Sequence, residues 1–235
     1  MNYLQALILI ILLFSSCKKE ETKKPDKKEV DKEVVSQEVK NPDKAPVVTE
    51  SVPKPSMDIF AAIDAENVEE IRRNIHHDKG CLKSTKSGSI LFPFHRACFD
   101  GRLAAIKELI NYVDVNQRCP EELGGTGLIL ASRKGHFEIV KLLIEKGADV
   151  NVIFGKIEFG KKVNSGHTAL FAACVDDHYK IAKLLIDNGA DVNKVCKANY
   201  ENPETALDIA VANNREKCRV LLTKHGGRKY KDLKK

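Results

Sequence analysis

The sequence predicts an all-α solenoid of about five stacked helix-turn-helix repeats. Internal self-similarity carries this expectation. The segment TGLILASRKGHFEIVKLLIEKGADVN (126–151) is matched by TALFAACVDDHYKIAKLLIDNGADVN (168–193). Weaker copies open with FPFHRACFDGRLAAIKELI (92–110) and TALDIAVANNREKCRVLL (205–222), and a first one, DIFAAIDAENVEEIRRNI (58–75), lacks the opening turn. Start-to-start spacings of 34, 42 and 37 residues for the last four copies place the excess over about 33 in connecting loops.

Each part of a copy has a physical reading. Thr126, Thr168 and Thr205 stand where a hydroxyl caps the amides of a first helix. Ala131 and Ala173 are small, so paired helices can approach. Gly135 suits the turn between helices, and Gly147 and Gly189 suit the end of the second helix, where left-handed backbone is common. Leu142, Leu143, Leu184 and Leu185 recur at helical spacing and face the next repeat. No copy buries its own apolar face, so three or more must stack. Copies one and five are irregular and polar, as end caps are.

These opening turns and the two G-A-D-V-N endings resemble the ankyrin repeat family, over residues 57–227. The T-P-L-H-x-A pattern is degenerate: Pro93-Phe94-His95 in one copy and Thr126-Gly127-Leu128 in another. The resemblance implies a protein-binding scaffold. It also implies structural roles for His95, His136 and His178.

Residues 1–16 read as a lipoprotein-type signal peptide. The apolar run LQALILIILLF (4–14) is about half the ~20 residues that span a bilayer as a helix. Phe14-Ser15-Ser16-Cys17 then resembles the lipobox of bacterial lipoproteins, which implies cleavage before Cys17 and lipidation of its thiol. Phe14 stands where that family has an aliphatic residue, and no Lys or Arg precedes the run. A signal cut elsewhere and an uncleaved anchor are the competing readings. Residues 17–56 form a tether: five of the eight prolines, ten Lys and nine Asp or Glu fall in 18–56, with no aromatic residue. Such a stretch buries too little to offset its ordering entropy. The tail 228–235 is basic, and with Lys224 carries most of the net charge of +6. A solvated terminus is the plain reading, and contact with anionic lipid or nucleic acid the sharper one.

No cofactor, metal or nucleic acid is expected. The chain has no P-loop, no G-x-S-x-G, no H-E-x-x-H and no dinucleotide-binding glycine pattern. None of the seven cysteines forms C-x-x-C. Cys98, Cys174 and Cys218 read as core fillers, whereas Cys81, Cys119 and Cys196 fall in or near loops, where a Cys81–Cys119 bridge is conceivable. The chain is therefore expected not to be an enzyme.

The family resemblance places a partner on the concave side, at the outward positions of the first helices: Arg96, Phe99, Arg133, Lys134, Val175 and Asp176. The loop VIFGKIEFGKKVNS (152–165) is about nine residues longer than the repeat norm and reads as a β-hairpin turning at Gly155-Lys156. It adds Ile153, Phe154, Ile157 and Phe159 as apolar contacts. The expected protein is a monomer, lipid-anchored to a bacterial membrane at Cys17, facing periplasm or cell surface, and binding a protein partner. The rival readings are an accessory or chaperone of an envelope enzyme and a surface effector binding host proteins.

Overall fold

The computed structural model describes residues 52–85, 91–119, 125–153, 157–158, 161–162, 166–199 and 202–234. The expected signal peptide, Cys17 and most of the expected tether lie outside the described residues. Five helix pairs follow in order: α1 Ile59–Asp64 with α2 Val68–His77, α3 Pro93–Asp100 with α4 Leu103–Leu109, α5 Gly127–Lys134 with α6 Phe137–Glu145, α7 Ala169–Val175 with α8 Tyr179–Asp187, and α9 Ala206–Ala212 with α10 Glu216–Lys224. A 3-10 turn spans Lys79–Lys83, and a last short helix, α11, spans Tyr230–Leu233. First helices pack on first helices in chain order, from α1 through α9, and second helices likewise from α2 through α10. Among the described residues no helix is long and apolar enough to cross a membrane.

The stack is close because one column is alanine. Ala62, Ala97, Ala131, Ala173 and Ala210 hold the same place in each first helix, and all are fully buried. Large side chains interleave around that column: Phe94, Leu128 and Leu170 from the first helices, and Ile71, Ile106, Leu143 and Leu185 from the second. A buried leucine removed here costs about 2–5 kcal/mol, because close-packed neighbours cannot collapse into the void.

The threonine caps divide. Thr168 Oγ1 accepts from Phe171 N–H (3.1 Å). Thr205 and Asp208 form a reciprocal capping box. Thr126 departs from the expectation: it precedes α5 but makes no side-chain cap, and its buried hydroxyl has no hydrogen-bond partner among the described residues.

Between helix pairs the turn is closed in two ways. Gly101 and Gly135 have positive φ (79° and 81°) and lie against the rings of His136 and His178 of the next repeat. An added Cβ would come within 2.6 and 2.7 Å of those rings. Glu66 and Asp177 take the same left-handed place with side chains. Each carboxylate caps the second helix of the following repeat, Glu66 on Ala104 N–H (2.9 Å) and Asp177 on Cys218 N–H (3.1 Å). The next-repeat position is then Arg102 or Arg215 instead of histidine.

The connecting fingers are linked by an asparagine ladder. Asn116 donates to the Gly147 carbonyl (3.1 Å) and accepts from Asp149 N–H (2.8 Å). Asn151 does the same with Gly189 and Asp191, and Asn193 with Gly226 and Arg228. This is the physical content of the repeated Asp-Val-Asn: aspartate turns the finger back on itself and asparagine ties it to the next one.

The long finger does pair as a hairpin, but further along than Gly155-Lys156. β1, Ile157–Glu158, pairs antiparallel with β2, Lys161–Lys162, so Gly155-Lys156 precedes both strands. A second hairpin, β3 Cys196–Asn199 with β4 Asn202–Glu204, occupies the next finger. The preceding finger has a single bridge between Arg118 and Thr126.

Candidate functional site

The side of the stack opposite the second helices is lined by the last turns of the first helices. The framework here uses main-chain oxygens. His136 Nε2 lies 3.0 Å from the Phe99 carbonyl and His178 Nε2 3.2 Å from that of Arg133. Arg215 Nε donates to the Val175 carbonyl at 2.8 Å. Each bond crosses one repeat junction and leaves the side chains of Phe99, Arg133 and Val175 outside the framework.

Those side chains differ in what they meet. Phe99 is half-buried against the core, and the Lys134 ammonium sits 4.3 Å above its ring centre. Arg133 and Lys134 are exposed, with no carboxylate partner among the described residues. Arg96 pairs with Asp100 on its own helix, an interaction that keeps its guanidinium strongly basic. Asp176 is exposed and lies 4.0 Å from Arg215. The structure thus brings Lys134 onto Phe99, sets Arg133 before it in α5 and near His167, pairs Arg96 with Asp100, and sets Val175 and Asp176 one repeat on.

On the fingers, Ile153 is half-buried and its carbonyl accepts from Arg118 Nη1 at 3.1 Å. Ile157 falls in β1, while Phe154 and Phe159 lie outside the described residues. One neighbour went unnoticed in the sequence. His167, just before the cap Thr168, stacks on Phe171 (4.6 Å between centres), and burial, then the charge of Arg133, hold its pKa below the usual histidine range. Its signal was weak, a lone histidine at a finger's end.

His95 serves the interior. It is fully buried, with Nε2 3.1 Å from the Gln117 carbonyl, and burial pushes its pKa down to about 4. Among the described residues no group of His, Cys, Asp and Glu could hold a metal ion. Cys81 and Cys119 are not joined in a disulfide; burial raises both pKa values, that of Cys81 to about 11.

A stack of helix pairs joined by hydrogen-bonded fingers, with an uncommitted row on its inner helices, is a repeat scaffold. The chain belongs to the ankyrin repeat family, whose model of ankyrin repeats (3 copies) matches residues 59–154 and 155–232. It is 42% identical over 52 residues to ankyrin repeat domain-containing protein 29 of Danio rerio, covering 22% of this chain and 17% of that protein. It is 32% identical over 72 residues to the NAD-capped RNA hydrolase NUDT12 of Pongo abelii (31% and 16%). It is 37% identical over 70 residues to the palmitoyltransferase AKR1 of Eremothecium gossypii (29% and 10%). The matched stretch is thus no more than 17% of the length of these relatives. Two of them are enzymes, and the likeness to them comes through ankyrin regions alone. The ankyrin repeat fold is typically a non-enzymatic interaction scaffold.

Proposed function

We propose that this chain is a lipid-anchored ankyrin protein of a bacterial cell envelope that binds a protein partner through the inner side of its stack. The row Phe99, Arg133 and Lys134 carries the binding reading. The junctions use the carbonyls of Phe99 and Arg133, so the side chains of Arg133 and Lys134 stand outside that framework; Phe99 rests on the core with Lys134 over its ring, and an aromatic beside cations is the composition of an interface anchor. The anchoring reading rests on the run at 4–14, the small residues before Cys17 and the proline-rich, charged stretch that follows. A lipid at Cys17 gives stable attachment when more than one acyl chain is present.

Two measurements test it. Radiolabelled palmitate should enter the wild-type protein in bacteria and not Cys17→Ser; an unlabelled wild type removes the anchor. Crosslinking in intact cells should recover a partner with wild type and lose it with Phe99→Ala/Arg133→Ala. Recovery that depends instead on residues 153–162 would move the site to the hairpin finger.

A further inference from the structure

We propose that the partner segment held on the inner row is acidic: adjacent carboxylates facing Arg133 and Lys134, with an apolar side chain beside them on Phe99. This inference rests on the binding reading above and names the chemistry of the segment.

The argument is one of charge placement. Residues 57–223 carry equal numbers of basic and acidic side chains, so the domain as a whole does not attract an acidic peptide. Its inner row, however, is not neutral throughout. In the second repeat Arg96 pairs with Asp100 and also feels the charge of Asp64 in the first repeat. In the fourth repeat Asp176 lies 4.0 Å from Arg215. The third repeat alone places two exposed cations side by side on this row without a carboxylate among the described residues. Those cations stand at the end of α5, where the Arg133 carbonyl is already satisfied by His178. Neither side chain is needed to close that helix.

Lys134 adds a geometric element. Its ammonium lies 4.3 Å over the Phe99 ring, so a carboxylate that pairs with it is brought to the edge of an aromatic surface. Phe99 is half-buried and cannot turn away, because its ring also packs on the core. Burial and the charge of Arg133 lower the pKa of His167, which disfavours a competing cation beside Arg133. A carboxylate pair adds charge-assisted hydrogen bonds to both cations, and the neighbouring apolar group covers the ring.

The test uses the full chain, immobilised, and short random peptides displayed on phage. Wild type should enrich peptides with adjacent Asp or Glu followed by an apolar residue. The synthetic form of the leading peptide should bind about tenfold tighter than its Asn/Gln counterpart. Arg133→Glu/Lys134→Glu should lose that preference. Lys180→Glu/Lys217→Glu, with the same change in net charge at exposed positions on the second-helix side, should retain it. Enrichment without acidic bias, or equal loss in both reversal variants, overturns the acidic segment. If such peptides still depend on Phe99, the inner-face reading stands. No enrichment at all overturns both. Urea midpoints of the variants within the wild-type range establish that each remains folded.

Discussion

At residues 66, 101, 135 and 177 the same backbone turn is met by different chemistry. Where glycine stands, a histidine of the next repeat fills the space above it; where Glu66 or Asp177 stands, a carboxylate reaches forward and caps a helix. Asp177→Ala keeps the left-handed residue but removes the cap on Cys218 N–H. We expect a loss of about 1 kcal/mol, read as a lower urea midpoint. His95 gives a pH signature. Its pKa is about 4 folded against an ordinary histidine value of 6.5, so the unfolded chain binds more protons between those values. Stability from this residue is therefore complete above about pH 6.5 and falls as pH drops towards 4, by about 3 kcal/mol at most. Glu70 and Glu108 are held below their ordinary range, by the Ser56 amide and by Arg72 respectively, so their losses come at lower pH. His167 shifts in the same direction as His95 and keeps part of the slope. Urea midpoints at pH 7 and 4.5 should differ less for His95→Phe than for wild type; an unchanged difference would refute the assignment.

At the scale of the element, the two threonine environments predict opposite costs. Thr205 Oγ1 accepts from Asp208 N–H and donates to the Arg228 carbonyl (2.8 Å), so Thr205→Val should cost about 1–2 kcal/mol. Thr126 has the extended backbone of a cap (φ −87°) but an orphan hydroxyl, so Thr126→Val should leave the thermal midpoint unchanged or raise it. The sequence treats the two alike, since both precede an apolar helical run. Asp208 completes a box around Thr205, while Thr168 caps with an apolar Phe171 three residues on, so an apolar Ile129 is not by itself what leaves Thr126 uncapped. The helices themselves were legible because Gly-Ala-Asp-Val-Asn recurs and the alanine column never varies. The hairpin at 196–204 was not, because its strands are short and polar and include Pro203. It forms where the finger's ends are already held together by the repeats. The acidic turns could have been found by aligning Glu66 and Asp177 with Gly101 and Gly135, and seeing arginine replace histidine beside Asp177.

For the whole molecule, the last residues matter more than their charge suggests. Tyr230 N–H donates to Asp208 (2.8 Å) and Arg228 N–H to Asn193 (2.8 Å), so 228–234 folds back on the fifth repeat instead of trailing from it. The anchors are main-chain amides, which leave no trace in a sequence pattern. Truncation after Gly227 should speed hydrogen exchange in α9 and α10 while leaving α5 and α6 near wild type, since repeats couple mainly to neighbours. Exchange that rises equally everywhere would show that the stack unfolds only as one unit. The candidate face was legible only in part. The columns picked out Phe99, Arg133 and Lys134, but not the Arg96–Asp100 pair that takes Arg96 out of play, nor His167 beside Arg133.

The four junctions are also unequal in kind. The three later ones include the asparagine ladder, made of neutral groups, whereas the first is tied by Glu66 to Ala104 N–H and by Arg72 to the buried Glu108 (2.9 Å). A load applied at the N-terminal end of the domain meets that ionic clasp before any other. Pulled between its ends, the protein should open the first repeat at a force that drops in acid or high salt, as should the last junction, where Asp177 caps Cys218 and Asp176 lies by Arg215, while the two middle steps hold their height.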